Sequence, residues 1–126
     1  MKTNSYNANA SAITALLDEY LNAIYYGDVA MLKSVFHASA LISGDINGTP
    51  YFKSLDEYLL GVQNRISPSA SGEYFQMKVV GVEIINSIAI AKVNVRMFKY
   101  NYFDLLSLFK VDEKWLIINK LLTHVD

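Results

Sequence analysis

Asp104 and Asn119 are the side chains that most invite a chemical reading. Both stand in the apolar stretch YFDLLSLFKVDEKWLIINKLLTHVD, residues 102–126. A carboxylate held away from water is pushed toward its neutral form and can serve as a general base. An amide in the same surroundings can orient a ligand carbonyl. Each also has an unreactive role: Asp104 as a paired or hydrated residue near a strand start, Asn119 as a buried amide tying two strands together. His37 brings an imidazole that can shuttle protons. At a helix end it would instead bond the last carbonyls, favoured by the dipole. Tyr20, Tyr25 and Tyr58 can line a pocket with hydroxyls or pack with the hydroxyl at a wet edge. Tyr25 and Tyr26 are adjacent and point to different sides. Trp115 is a hairpin anchor or a stacking platform. Lys92, Asn94 and Arg96 alternate on one strand face, as a partly solvated strip or a positive wall for an acidic ligand.

Composition removes several classes. The chain has no cysteine, so disulfides, thiolate nucleophiles and thiolate metal sites are excluded. Its two histidines, His37 and His124, lie far apart with no carboxylates at recognisable spacing, so no metal site is expected, nor any cofactor. Net charge is -1 with no basic cluster, which speaks against nucleic acid as a partner. No apolar run approaches the roughly 20 residues that span a bilayer. The N-terminus lacks the apolar segment of a signal peptide. The expectation is a soluble, cytoplasmic protein. A hydrophobic fraction of 52% against 18% charged residues describes a folding chain, and 126 residues is the size of one domain.

The elements that must position these residues can be traced along the chain. Residues 1–10 are polar and Asn/Ser-rich and read as a loose arm, with a single domain over 11–126. Ser11 reads as the N-cap of a helix with the stripe Ile13, Leu16, Leu17, Tyr20, Leu21 and Ile24, ended by Gly27. Asp28 caps a short second helix through Phe36. His37 to Ile42 leads into a short strand, Gly44 to Gly48 is turn, and Thr49 to Phe52 returns. Ser54 with Glu57 forms a capping box on a third helix whose stripe is Leu55, Tyr58, Leu59 and Val62. From Tyr74 four long strands follow, with turns at Asn86-Ser87 and Asp112-Glu113. The latter turn places Lys110 across from Trp115, Leu108 from Ile117 and Leu106 from Asn119. Asp104 and Asn119 then share one face, which the register turns to the concave side of the sheet. Both faces of this hairpin are largely apolar, so one is expected to meet the core and the other a second subunit.

The order of elements, with Tyr20-Leu21, Gly27-Asp28, Phe36-His37, Leu55 to Leu59, Phe103 to Leu108 and Lys114-Trp115 through Lys120, resembles the nuclear transport factor 2-like superfamily. Within it the match is to the group labelled "putative lumazine-binding", related to the SnoaL-like proteins, over residues 12 to 122. The resemblance implies an α+β, cystatin-like cone: three N-terminal helices on a strongly curved antiparallel sheet. It implies a pocket at the open end and a homodimer through the outer sheet face. The leading reading is a pocket for a small apolar or aromatic ligand bound by Tyr20, Tyr25, Phe36, His37, Tyr58, Asp104 and Asn119; the family label implies a pterin-like ligand only weakly. Catalytic members of the superfamily perform proton transfers with Asp, His and Tyr in the cone. The rival reading is therefore an isomerase, dehydratase or cyclase using Asp104 or His37. Where relatives often carry Pro-Asp after Phe-His, this chain has Ala38-Ser39, which weighs against an enzyme. A third class is an interaction module with a filled cone. A cavity of about 300 Å³ or more with convergent polar groups would favour either of the first two.

Overall fold

The computed structural model describes residues 5–126. Three helices, α1 (Tyr6–Tyr26), α2 (Val29–Ser34) and α3 (Leu55–Asn64), pack on one six-stranded sheet. The strands are β1 (Phe36–Ile46), β2 (Thr49–Ser54), β3 (Met77–Ile85), β4 (Ile88–Met97), β5 (Tyr100–Val111) and β6 (Lys114–Val125). Their order in the curved sheet is β2-β1-β6-β5-β4-β3. All neighbours are antiparallel except β1 and β6, which run parallel, so the sheet is mixed where a wholly antiparallel one was expected. The parallel pair arises because α3 and the β3–β5 meander intervene before the chain returns beside β1.

The helical stripes read from the sequence are buried: Ile13, Leu16, Leu17, Tyr20, Leu21 and Ile24 on α1, and Leu55, Tyr58, Leu59 and Val62 on α3. Gly27 closes α1 at φ 67°, a left-handed conformation that glycine adopts without a Cβ penalty. The Asp28 side chain accepts from the Met31 N–H, capping α2. On α3 the capping box is complete: Ser54 Oγ accepts from Glu57 N–H, and Ser54 N–H donates to Glu57 Oε1.

α1 begins six residues earlier than the composition suggested. Ser5, not Ser11, is the N-cap, its side chain accepting from Ala8 N–H. Residues 6–10 are therefore helical rather than part of an arm, and the expectation for residues 1–4 lies outside the described residues. Asn9 supplies the physical reason. Its Oδ1 accepts from Lys110 Nζ and Trp115 Nε1, and its amide donates to the Asn86 carbonyl. A polar residue pinned to two hairpins holds the first turn in place.

β1 is likewise longer than expected, running through Gly44, Asp45 and Ile46 to a turn at Asn47-Gly48 alone. Gly44 lies against β6, where an added Cβ would sit 1.8 Å from the Leu122 carbonyl oxygen. Only glycine lets the two strands approach so closely.

Candidate functional site

The turn at Asp112-Glu113 forms as expected, with positive φ at both residues and Val111 opposite Lys114. The register holds to Leu108↔Ile117. There β6 carries one extra residue, Ile118, and the pairing resumes as Ser107↔Asn119 and Leu106↔Lys120. A one-residue insertion moves every later side chain to the other face. Asn119 therefore leaves the concave side and lies on the outer face in a row with Leu41 and Ser107. Lys120 takes the inward position across from Leu106. This corrects the expected Asp104–Asn119 pair: Asp104 does face inward, and its polar neighbour from β6 is Lys120.

Both charges are deeply buried, Asp104 3% and Lys120 4% exposed. Their closest approach is 3.7 Å, from Nζ to Oδ2, an ion pair too long for a direct hydrogen bond. Each is held by a tyrosine from a helix. Tyr20 on α1 donates to Asp104 Oδ2 at 2.7 Å, and Lys120 Nζ donates to the Tyr58 hydroxyl on α3 at 2.8 Å. The Lys120 ammonium also lies 5.2 Å from the Tyr20 ring. No hydrogen bond among the described residues reaches Asp104 Oδ1.

Burial shapes the protonation of the group. Burial alone disfavours the Lys120 ammonium, but the Asp104 carboxylate and the Tyr58 hydroxyl outweigh it, and its pKa lies above the ordinary lysine value. Tyr20 is raised well above a normal phenol, first by burial and then by the Asp104 charge. Tyr51 and Tyr102 are raised as well, mainly by burial. These three phenols stay protonated at neutral pH, and of the three Tyr20 donates to a protein group.

Asp104, Lys120 and Tyr58 border a cavity of about 90 Å³. Its polar lining is Tyr51, Tyr58, Arg65, Tyr102, Asp104 and Lys120. The polar groups converge as a ligand site requires. The volume falls short of the roughly 300 Å³ that would mark a pocket for a larger ligand, yet the cone is not filled.

Of the sequence candidates, Asp104 and Tyr58 line this cavity, and Tyr20 supports it by bonding Asp104. Phe36 packs edge-on between Tyr20 and Tyr58, at ring distances of 6.1 and 6.0 Å. Tyr25 is elsewhere, donating to the Glu73 carbonyl beside Phe75. His37 is also outside the lining: it opens β1, its Nδ1 accepts from Ser39 N–H, and its ring rests 5.5 Å from Phe109. It thus bonds no helix carbonyl either. Lys92, Asn94 and Arg96 share the outer face, with Lys92 and Arg96 exposed and Asn94 tied to Asn101 and the Tyr102 carbonyl. Trp115 anchors the hairpin to α1 through Asn9.

Sequence reading missed Lys120, Arg65, Tyr51 and Tyr102. Two of these left a signal. In any register one of the adjacent polar residues Asn119 and Lys120 must face inward, because strand faces alternate. Arg65 stands three residues after Val62, the spacing of the α3 stripe, although the helix itself ends at Asn64. Among the described residues no cluster of three His, Asp or Glu side chains could hold a metal ion, and no helix is long and apolar enough to cross a membrane.

Comparison with known proteins places this geometry. No curated protein matches the chain. Among solved structures, an "NTF-2 like protein of unknown function" from Silicibacter pomeroyi superposes with TM-score 0.85 at 21% identity, over 96% of this chain and 99% of that one. One from Methylobacillus flagellatus gives 0.81 at 25% identity, over 100% and 99%. A "domain of unknown function with a cystatin-like fold" from Nostoc punctiforme gives 0.77 at 22% identity, over 97% and 80%. The family described as "Putative lumazine-binding" matches residues 8–123. With nearly the whole chain matched and the cone shared, this protein belongs to that family, within the nuclear transport factor 2-like superfamily.

Proposed function

We propose that this chain is a binding protein for a small, mainly apolar or aromatic molecule held at the open end of the cone. The observation that carries the reading is a cavity of about 90 Å³ into which six polar side chains converge, two of them, Tyr51 and Tyr102, with hydroxyls that bond no protein group among the described residues. Hydroxyls that face a cavity with no protein partner are open to donate to a ligand. The volume suits a single ring or a short chain. It is well below the roughly 300–1,000 Å³ of pockets for larger ligands, so the bicyclic lumazine of the family's description is not carried over to this chain. The reading includes a cytoplasmic location and a homodimer through the outer sheet face, where Leu41, Leu105, Leu121 and Val125 are each between 42% and 48% exposed.

Thermal melts with single-ring fragments test the binding reading. A ligand that binds only the folded chain raises the melting temperature with concentration. The rise should disappear in Met97→Trp, which fills the cavity. A fragment set that never shifts the wild-type melt, or shifts the filled variant equally, would sink it.

One observation favours the enzymatic alternative of the isomerase, dehydratase or polyketide-cyclase type. Asp104 lines the cavity, and its Oδ1 is free to accept a proton while Oδ2 is held by Tyr20. On that reading Asp104→Asn abolishes turnover and leaves ligand affinity within a few-fold. His37 has no part in it, because its ring lies outside the cavity lining.

A further inference from the structure

Arg65 stands apart from the other polar residues around the cavity. The chain leaves α3 at Arg65 in an extended conformation, φ -105° and ψ 159°, which brings the side chain into the cavity wall. Its guanidinium carbon lies 5.1 Å from the centroid of the Phe98 ring, within cation–π range. Its Nε and Nη2 are buried, each with less than 1 Å² of exposed surface, and neither has a hydrogen-bond partner. They are the only buried side-chain nitrogens or oxygens among the described residues in that condition. Nε and Nη2 share one edge of the guanidinium plane, the edge whose two parallel N–H groups match the two oxygens of a carboxylate. The contact with Phe98 leaves Nε and Nη2 without an acceptor.

The charges agree. Among the described residues two ion pairs form, Lys110 with Glu113 and Lys120 with Asp104, and neither includes Arg65. Around the cavity the Asp104 and Lys120 charges offset one another, and one positive charge is left on Arg65. That charge is felt across the site, where it opposes the upward shift of Tyr20, Tyr51 and Tyr102. A buried donor pair with no acceptor calls for one from outside the chain.

We propose that the cone binds a small organic monoanion, its carboxylate paired side-on to Arg65 Nε and Nη2 and its apolar portion against Ile24, Val95, Met97 and Leu122. This rests on the binding reading above and names the ligand class for it. Nε and Nη2 are closed to solvent in the unliganded chain, so the Arg65 side chain must rotate to present this edge to the entering carboxylate. The Tyr51 and Tyr102 hydroxyls supply further donors. The cavity limits the apolar part to a single ring or a short aliphatic chain.

Isothermal titration calorimetry of the full chain at neutral pH and low salt tests the proposal. The probes are acetate, butyrate, hexanoate and benzoate, each beside its amide of nearly equal shape. At least one acid should bind, and about tenfold or more tighter than its amide, since only the acid accepts a charge-assisted pair. Arg65→Gln should weaken that acid by about tenfold or more and leave the amide unchanged. Acid and amide bound equally well would overturn the anion proposal and leave the pocket reading standing. So would an Arg65→Gln variant that keeps full acid affinity. No binding by any acid or amide at millimolar concentration would overturn both. The acid-to-amide comparison in the wild-type chain decides the matter even if the variant folds poorly.

Discussion

Replacing Lys120 by Met tests the buried ion pair most directly. Methionine keeps the length and apolar stem of the side chain and removes the charge. Asp104, 3% exposed, would then keep Tyr20 as its hydrogen-bond donor and lose its counter-ion. Removing one partner of a buried pair costs about 3–5 kcal/mol, most of it the desolvation of the charge left behind. A chain of this length is stabilised by on the order of 6–19 kcal/mol, so the variant should still fold. Its melting temperature should fall by roughly 10–20 °C. Urea unfolding followed by circular dichroism measures the difference, and Asp104→Asn with the double variant completes the cycle. The double variant should be less damaged than the two singles added together, by about 0.5–3 kcal/mol. The effect has a pH signature. Lys120 titrates above its ordinary value of 10.5, so its contribution is fully present below that pH. It is lost as pH rises through the higher folded value. Wild type and Lys120→Met should therefore differ by a constant amount from pH 6 to 9, and the difference should shrink only at pH above the ordinary lysine value. A loss under about 1 kcal/mol, or a cycle additive within about 0.3 kcal/mol, would show that the two charges do not interact and refute the reasoning.

Three further outcomes are expected. Gly44→Ala places a methyl 1.8 Å from the Leu122 carbonyl and should force β1 from β6, at a cost above about 3 kcal/mol by chemical denaturation; a loss under about 1 kcal/mol would mean the strands are not so close. Glu57 has its pKa lowered by the backbone and side-chain bonds to Ser54, so its contribution is present above its ordinary 4.5 and vanishes as pH falls through the lower folded value. The melting gap between wild type and Glu57→Gln should accordingly be full near pH 6 and narrow as pH falls below 4.5, and a gap that does not narrow in acid would contradict this. Light scattering should report twice the 14.2 kDa chain mass for wild type, and Leu105→Glu with Leu121→Glu on the outer face should halve it; a wild-type monomer at micromolar concentration would remove the dimer.

Local rules made much of this protein legible without coordinates. The α1 and α3 stripes follow from a 3.6-residue period, the Ser54–Glu57 box from the needs of a helix N-terminus, and the Asp112-Glu113 turn from the pairing of two apolar strands. Each depends on residues a few positions apart, so composition and spacing suffice. Asp104 turned inward for the same reason: it lies an even number of residues from Leu106 and Leu108, both buried.

What the tertiary structure decided involves partners distant in sequence. The start of α1 at Tyr6 depends on Asn9 reaching Asn86, Lys110 and Trp115 across the fold, and a polar composition there looks the same as a loose arm. The extra residue at Ile118 appears where β1 joins β6 and the β1 register also shifts, between Phe36 and Leu41. No turn rule contains it, because it answers to a strand more than seventy residues away. That one residue exchanged Asn119 for Lys120 at the centre of the cone and turned an expected amide site into a buried ion pair. Arg65 carried a trace of its position in the spacing of the α3 stripe. Its unpaired edge, however, exists only because no described carboxylate comes within 4 Å. Periodicity says which way a side chain points; only the assembled sheet says what it meets there.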